Sequence, residues 1–397
     1  MKASVSAVAI SALAATAAAE NYLGFNSGAT KADRSAKFKA DFEAEFKTAQ
    51  NLEGAPGDFN AVRLYTNIQA YSTEDPIEAF EAAINTNTKI LLGVWTSGTD
   101  NIDKEINALK TAVTKYGTKL TDLIIGASIG SEDLYRNSVT GVKNKSGVGA
   151  DPKTIVGFIN DFKTAFKDTP LSKVSIGHVD TWDVWGNATN KPVLDAIDWV
   201  GVDEYPYYEN DKGNSIENAG KLFDKAYKAT IATAAGTETG WPVTGETWDE
   251  AVPSAQNAKT YWDEIGCRQL FGKTPTFWYN LRDSNPDNTM KFAITKDLST
   301  KPLFNLTCPT TFDTPTETTT GTASSTATVK PGNGTSGSGS GSGSSGSGGN
   351  TTPLPPPPPT TTGAGSSAST VGSGATTVKV LSTGALAIIA GAIAFLY

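Results

Sequence analysis

Short apolar runs alternate with amphipathic stretches along residues 20–309. The runs are rich in β-branched and aromatic side chains, as strands are, and the intervening stretches repeat apolar residues at helical spacing. Strands are predicted at residues 22–26, 62–66, 90–96, 123–129, 174–179, 199–205 and 276–281. Strands that alternate with helices pair in parallel and are covered on both faces. The pattern predicts an α/β fold, a (β/α)8 TIM barrel with its eighth strand just before Glu238; a doubly wound open sheet is the alternative.

Both ends of the chain differ from this domain. Lys2, an apolar run at 3–15 and small residues at 16–19 are typical of a secretory signal peptide, with a buried N-terminal helix as the alternative. Residues 380–397 are apolar and follow small residues and a polar spacer, which is the pattern of a GPI-anchor signal. A tail-anchored membrane helix is disfavoured because it lacks a basic flank. The predicted boundaries are 1–19 for the signal peptide, 20–309 for the barrel, 310–372 for a stalk and 373–397 for a removed GPI signal.

The predicted stalk consists mainly of Thr, Ser, Gly and Pro, with a Gly-Ser repeat at 336–349 and five prolines at 355–359. Such a segment has too little apolar surface to offset the entropy of ordering, so we expect it to be disordered. Its Ser, Thr and Pro content in a secreted chain indicates O-glycosylation. N-glycosylation sequons begin at Asn144, Asn187, Asn305, Asn333 and Asn350.

Charge and cysteine content narrow the class of function. The net charge of -8 argues against nucleic-acid binding, because no basic face is available to neutralise phosphates. Cys267 and Cys308 lie in an oxidising compartment, and a disulfide between them would stabilise the fold by about 4 kcal/mol. Two thiols and one histidine are too few for a structural zinc site unless carboxylates contribute. The chain has no glycine-rich nucleotide-binding fingerprint, and we expect no metal or organic cofactor.

Acidic and aromatic residues concentrate where the predicted strands end, which is where barrel enzymes carry their chemistry. The carboxylates at strand ends are Glu132, Asp180, Asp203, Glu204, Glu238 and Asp283. The aromatics at the same edge are Tyr65, Trp95, Trp182, Tyr205, Tyr207, Trp241, Trp278 and Tyr279. Aromatic rings stack on the C–H faces of sugars, and carboxylates accept hydrogen bonds from sugar hydroxyls. The residues at this edge therefore indicate a carbohydrate substrate.

Two segments carry a family resemblance. Residues 130–136, Gly-Ser-Glu-Asp-Leu-Tyr-Arg, and residues 238–242, Glu-Thr-Gly-Trp-Pro, resemble glycoside hydrolase family 17. The likeness is strongest to fungal GPI-anchored glucan endo-1,3-β-glucosidases, and it extends over about residues 24–308. It implies action on β-1,3-glucan, and the predicted signal, stalk and GPI anchor agree with it, so we expect a secreted protein on the outer face of the cell membrane and in the cell wall. We also expect a monomer.

The resemblance also implies roles for individual residues. Retaining hydrolysis would use Glu132 as acid/base and Glu238 as nucleophile, with Tyr205 donating a hydrogen bond to Glu238. The residues expected to contact the glucan are Tyr65, Ser131, Tyr205, Trp241 and Trp278. Ser131 stands where the family usually has Asn, and its shorter side chain shortens the reach toward the sugar.

Retention needs two carboxyl groups about 5–5.5 Å apart, one protonated and one ionised. A dry environment and mutual repulsion should raise the pKa of Glu132, while hydrogen-bond donors keep Glu238 charged. The alternatives are an ion pair of Glu132 with Arg136 and a helix-capping role for Glu238.

The segment before Glu238 is a weak strand. Among residues 231–237 only Ile231 is large and apolar, and little room remains after a helix predicted at 219–229. If the chain folds as written, an open hypothesis is that Glu238 is misplaced and the protein is weakly active or inactive, because an error of about 1 Å can lower a rate about a hundredfold.

Other classes of function fit parts of the sequence. Residues 126–130 match the G-x-S-x-G pattern of serine hydrolases, but Ser128 lies within a run that continues to Glu132, where a nucleophile elbow would need a sharp turn. His178, within a predicted strand, either lines the sugar site or packs with its ring hydrogen-bonded. A glucan-binding wall mannoprotein without turnover and a β-1,3-glucan transglycosylase are the remaining alternatives.

Overall fold

A computed structural model describes residues 21–210, 212–230, 234–285 and 287–312. Eight parallel strands close into a barrel in sequence order, because the last strand pairs with the first. The strands are β1 (Leu23–Ser27), β2 (Ala61–Leu64), β3 (Lys89–Val94), β4 (Ile124–Ser131), β5 (Ile176–Thr181), β6 (Trp199–Asp203), β7 (Ala234–Thr239) and β8 (Thr276–Trp278). Closure confirms the predicted TIM barrel and rules out the open sheet.

Helices fill the connections between the strands. They are α1 (Lys39–Gln50), α2 (Ala79–Thr86), α3 (Asp103–Tyr116), α4 (Thr118–Thr121), α5 (Asp133–Arg136), α6 (Val139–Lys143), α7 (Pro152–Phe166), α8 (Trp182–Trp185), α9 (Lys191–Ala196), α10 (Ile216–Thr230) and α11 (Ala255–Tyr261), which continues as a π-helix over Trp262–Leu270. Short 3₁₀ turns cover Pro170–Lys173, Ala188–Asn190 and Pro206–Tyr208. Within the described residues, no helix has the length and apolar character needed to cross a membrane.

Alternation along each strand decides which side chains face the barrel interior. On β2, Val62 and Leu64 join the apolar layer between the barrel and its helices, whereas Ala61 packs inside the barrel with Leu91 and Phe277. Arg63, between Val62 and Leu64, therefore faces the barrel interior as Ala61 does. The same alternation applies to the other strands. The inward side chains form an apolar layer near the amino ends of the strands and a polar layer, called the upper layer below, near their carboxyl ends.

Strand β7 forms despite its weak apolar pattern. Helix α10 ends at Thr230 and β7 begins at Ala234, with a register shift against β6 near Gly201. Glu238 then aligns with Asp203 on β6 and with Phe277 on β8. The hypothesised displacement of Glu238 is therefore not found.

Hydrogen bonds of Thr239 support the carboxyl end of β7. Thr239 Oγ1 donates to the carbonyl of Glu204 at 2.5 Å and lies 2.8 Å from the hydroxyl of Tyr261 on α11. Thr237 Oγ1, on the same face, is buried without a hydrogen-bond partner among the described residues, so Thr239 supplies the side-chain hydrogen bonds at the end of the strand. The prediction failed because it considered only the apolar pattern.

A disulfide joins Cys267 in the π-helix to Cys308 near the end of the described chain, with a Cα–Cα distance of 5.5 Å. The predicted pairing is thus present in the structure. The predicted signal peptide, the stalk from residue 313 onward, the GPI signal and the sequons at Asn333 and Asn350 lie outside the described residues.

Candidate active site

Glu132 lies at the end of β4, where the chain turns sharply into α5. Its backbone is left-handed, with φ 58°. Gly130, two residues earlier, has φ 93°, and a Cβ there would lie 2.4 Å from Asp133 Oδ2 and 2.7 Å from His178 Cε1. Only glycine fits at this position. The backbone path that leads to Glu132 therefore depends on the crowded polar cluster behind it, formed by Asp133, His178 and Thr96.

The Glu132 side chain is 1% exposed and has two unlike oxygens. Arg136 Nη2 donates to Oε2 at 2.9 Å, whereas Oε1 has no hydrogen-bond partner among the described residues. Arg136 is itself held by the carbonyl of Ser131 at 2.6 Å, and its guanidinium lies 5.4 Å from the ring centre of Trp95. The ion pair considered as an alternative role is present.

The environment of Glu132 nevertheless favours the neutral acid. Burial raises the pKa of the Glu132 carboxyl to about 8, and the Arg136 charge only partly opposes this shift. Nearby carboxyls of Asp203 and Asp180 raise the pKa further. With Oε2 accepting from Arg136, the proton belongs on Oε1. These influences together favour the protonated form of Glu132 at neutral pH.

Glu238 ends β7 inside the barrel and is 2% exposed. Tyr205 Oη donates to its Oε1 at 2.7 Å, and Arg63 Nη1 contacts its Oε2. A guanidinium and a phenolic donor both stabilise the ionised form of a carboxylate. Glu238 therefore receives the donors expected of a nucleophile, and these contacts are not those of a helix cap.

Arg63 connects the two glutamate segments. Its Nη2 donates to Ser131 Oγ at 3.0 Å, so the predicted substrate-binding Ser131 is a partner of Arg63 directly before Glu132. Asn26 Oδ1 on β1 accepts from Nη1 at 3.3 Å. The guanidinium also lies 4.8 Å from the ring centre of Tyr65. One cation thus contacts β1, β4 and β7.

A third carboxyl, Asp203, shares the upper layer of the barrel. It is buried and in register with Glu238. Burial raises the pKa of Asp203 to about 6, against the opposing charge of Arg63. The site therefore contains three acidic groups with one central arginine.

The predicted aromatic contacts divide into two groups. Tyr205 faces the ring of Tyr279 edge-on at 6.1 Å, and Tyr65 lies beside Arg63, so these rings surround the acidic groups. Trp241 and Trp278 do not: each is 1% exposed.

The prediction of Trp241 and Trp278 as substrate contacts is wrong, because both point into the helical layer. Trp278 packs on Trp262 at 4.8 Å between ring centres, and Trp241 packs on Tyr207 at 5.3 Å. Alternation along β8 explains the error: Phe277 faces the barrel interior, so its neighbour Trp278 faces outward.

The serine-hydrolase pattern lies inside β4. Ser128 Oγ donates to the carbonyl of Gly130 at 2.7 Å within the strand, and no nucleophile elbow is formed there. His178 is fully buried on the outer face of β5 with its ring edge-on to Trp185, so it packs rather than lines the sugar site. Among the described residues, no cluster of three or more His, Cys, Asp or Glu side chains is arranged to hold a metal ion.

Three sequons lie in the described region. Asn187 and Asn305 are exposed, and each uses its side-chain oxygen to accept a local backbone N–H. Asn144 is exposed as well, but its amide donates to the hydroxyl of Tyr135 at 2.9 Å.

A family model described as the BtgE/BtgC glycoside hydrolase domain matches residues 24–295. The chain belongs to this family. The match identifies the barrel as a glycoside hydrolase domain, as the sequence resemblance implied.

Curated relatives carry the same domain. A protein of Aspergillus niger named "Probable glucan endo-1,3-beta-glucosidase eglC" is 51% identical over 294 residues, covering 72% of this chain and 63% of the relative. Its namesake from Aspergillus fumigatus is 51% identical over 304 residues, covering 75% and 68%. The chain thus spans about two thirds of the length of these relatives.

Solved structures share the barrel. The family 17 β-1,3-glucanosyltransferase of Rhizomucor miehei has a TM-score of 0.55 at 20% identity, covering 71% of this chain and 98% of that one. The β-1,3-glucanase and allergen CJP38 of Cryptomeria japonica pollen has a TM-score of 0.53 at 14% identity, covering 73% and 100%. At these identities the likeness supports the fold alone.

Sequence reasoning missed two members of this glycosidase site. Arg63 was not considered, although a charged residue centred in an apolar strand is itself a signal, since buried charge requires a partner. Asp203 was noted as a strand-ending acid but not assigned to the site. Tyr279 was noted as an edge aromatic, and the structure places it in the position expected of Trp278.

Proposed function

We propose that this glycosidase hydrolyses internal linkages of β-1,3-glucan with retention of configuration, with Glu132 as acid/base and Glu238 as nucleophile. The observation that carries the proposal is the contrast between the two buried glutamates. Glu132 has a raised pKa and an oxygen left without a protein partner, whereas Glu238 is held by a guanidinium and a phenol. The names of the curated relatives supply the linkage and the endo mode.

The two environments suit successive steps of a double displacement. Glu132 Oε1 gives its proton to the glycosidic oxygen while Glu238 attacks the anomeric carbon, so the C–O bond breaks and a glycosyl ester forms. Glu132, now ionised, removes a proton from water, whose oxygen attacks the same carbon and releases Glu238. Tyr205 and Arg63 hold the Glu238 carboxylate in position throughout.

A product assay tests this proposal. Purified protein acting on laminarin should release a series of short β-1,3-oligoglucosides, and NMR should show the β-anomer first. The Glu238→Gln variant should release none, because it has no carboxylate to form the ester. Initial release of the α-anomer would overturn retention, and equal product from the variant would overturn the role of Glu238.

The same assay separates the alternatives. Products longer than the starting oligosaccharide, detected by mass spectrometry, would show that a sugar acceptor competes with water, as in a transglycosylase. Binding of laminarin without any new reducing ends would instead support a wall protein that binds glucan without turnover.

We also propose that the protein is secreted and held by a GPI anchor on the outer face of the cell membrane and in the cell wall. The signal-like residues 1–19 and the terminal pattern at 373–397 support this. Phosphatidylinositol-specific phospholipase C should release the protein from intact cells. Protein that remains bound after this treatment and after glucan digestion would contradict the anchor.

A further inference from the structure

His178 and Asp180 form a fully buried pair behind the segment that carries Glu132. His178 Nδ1 lies 2.6 Å from the carbonyl oxygen of Ile129, and Nε2 lies 3.0 Å from Asp180 Oδ2. A carbonyl oxygen can only accept, so Nδ1 must carry a hydrogen. Nε2 faces a carboxyl oxygen at hydrogen-bond distance, so a second proton must lie between them. The pair therefore holds one proton more than a neutral histidine beside a carboxylate.

Asp180 also binds the backbone that follows Glu132. Its Oδ2 accepts from the amide of Leu134 at 2.9 Å, and its Oδ1 accepts from the amides of Tyr135 at 3.2 Å and Thr181 at 2.9 Å. These three backbone donors favour a carboxylate over a carboxylic acid. Burial raises the pKa of Asp180, and the hydrogen bond and charge of His178 together with the Thr181 amide oppose that shift. Because three backbone donors hold its oxygens, Asp180 stays a carboxylate and the shared proton belongs on His178, which is then an imidazolium.

Through these contacts the pair, which belongs to β5, connects that strand to the turn at Glu132. Glu132 adopts the left-handed conformation, which costs free energy for a residue with a side chain. The turn persists because the backbone amides of Leu134 and Tyr135, directly after it, donate hydrogen bonds to a side chain of the neighbouring strand. Asp180 supplies those contacts, and His178 keeps Asp180 charged and oriented.

We propose that a doubly protonated His178 and Asp180 are positioning residues that hold the turn of Glu132 so that its acid oxygen faces the substrate. The inference rests on the proposed function and assigns a specific part of it. Neither residue contacts substrate in this scheme; both act through the backbone.

The charges around His178 support the imidazolium. Burial by itself lowers the pKa of His178, but the hydrogen bond and charge of Asp180 outweigh it, with a smaller contribution from Asp133, and the pKa is raised. Asp203 lies on the other side of the sheet, inside the barrel, and interacts with the pair only through its charge. Trp185 covers the ring of His178 with an apolar edge. Because the folded pKa exceeds the unfolded one, this stabilisation is complete below about pH 6.5 and is lost as the pH rises through the folded pKa.

The proton count can be measured directly, because His178 is the only histidine in the chain. Protein labelled with ¹⁵N-histidine and made without a polyhistidine tag should show two protonated ring nitrogens at pH 7, above the ordinary histidine pKa of about 6.5. A spectrum with one protonated nitrogen at that pH would overturn the proposal. This result does not depend on activity.

A matched pair of variants tests the positioning role. The amide nitrogen of His178→Gln can occupy the place of Nε2 and keep the bond to Asp180, whereas that of His178→Asn occupies the place of Nδ1 and leaves Asp180 without its partner. We expect His178→Asn to lower kcat on laminarin about a hundredfold with little change in KM. His178→Gln should keep most of the activity. Equal losses in the two variants would overturn the role assigned to Asp180.

The leaving group and a control variant complete the design. A dinitrophenyl β-laminaribioside needs little protonation of its leaving group, so His178→Asn should lose far less kcat/KM, which reports formation of the glycosyl ester, on this substrate than on laminarin. Glu45→Gln breaks the buried pair with Lys37, away from the Glu132 turn, and should lower Tm while leaving kcat unchanged. A loss of the same size on both substrates would overturn the proposal. If the wild-type protein cleaves no glucan, the proposed function fails, and the NMR spectrum still decides the protonation of the pair.

Discussion

Glu132 and Glu238 are equally buried, but they end strands of very different construction. β4 leads into a turn that depends on Gly130 and on a polar cluster behind it. β7 has a weak apolar pattern and is held by its two neighbouring strands and by threonine hydrogen bonds. The partners of the two carboxyls differ although their exposure is the same: the surroundings of Glu132 favour the neutral acid, whereas Arg63 and Tyr205 favour the ionised form of Glu238. Burial alone does not determine the charge of an acid; the number and charge of its donors do.

The largest effect is expected when the carboxyl group of Glu238 or of Glu132 is removed. Glu238→Ala should lower kcat on laminarin by on the order of 10⁴-fold or more, because no glycosyl ester can form. Glu132→Ala should lower it by about 10²–10⁴-fold, the usual contribution of a general acid.

Added azide separates the two variants further. It should restore turnover of an activated glucoside in both, with an α-glycosyl azide from Glu238→Ala and a β-glycosyl azide from Glu132→Ala, read by NMR. The same anomer from both variants would remove the distinction between the two glutamates.

Arg63 offers the next test, because it contacts the Glu238 carboxylate and Ser131 together. Arg63→Lys keeps the charge but cannot reach both partners, and we expect kcat to fall about a hundredfold. Arg63→Met leaves a buried carboxylate unpaired and should cost about 3–5 kcal/mol of unfolding free energy. Steady-state kinetics and denaturant unfolding measure these effects. A Lys variant with full activity would show that charge, not geometry, holds Glu238.

A smaller effect is expected on the pH dependence. Activity should fall as the pH rises through the pKa of Glu132, about 8, because the acid loses its proton. Arg136→Met removes a cation that lowers this pKa, so the alkaline limb of kcat/KM should move up by about one unit. Asp203→Asn removes a negative charge that raises it, so the limb should move down. Shifts of the same sign in both variants would contradict the assignment of that limb to Glu132.

The smallest change in activity is expected at Trp278. Trp278→Leu should lower the unfolding free energy by about 3 kcal/mol with KM for laminarin unchanged, because the ring packs on Trp262 outside the barrel. Tyr279→Leu, at the inward position next to it, should raise KM. Comparing KM and Tm for this pair tests the inward and outward assignment; a raised KM in Trp278→Leu would reverse it.

The sequence predicted the barrel because its alternating strands and helices are strongly periodic. Position at strand ends reduced the candidate acids to six, and the family resemblance of residues 130–136 and 238–242 selected Glu132 and Glu238. The sequence prediction failed where the orientation of a side chain changes with a shift of one residue along a strand. Trp278 and Tyr279 are neighbours of similar character, and only the register of β8 decides which one faces the site. His178 left two interpretations open because its partners, Asp180 and the carbonyl of Ile129, meet it only in the folded barrel.

The disulfide at the end of the described chain has a mechanical consequence. Cys308 is bonded to Cys267, 41 positions earlier, and β8 lies between them. A pulling force applied beyond residue 308 is therefore transmitted across the sulfur bridge to the last helix. The enclosed loop cannot lengthen under that load unless the bridge is reduced, so traction from that side cannot peel β8 away from β1 and open the barrel.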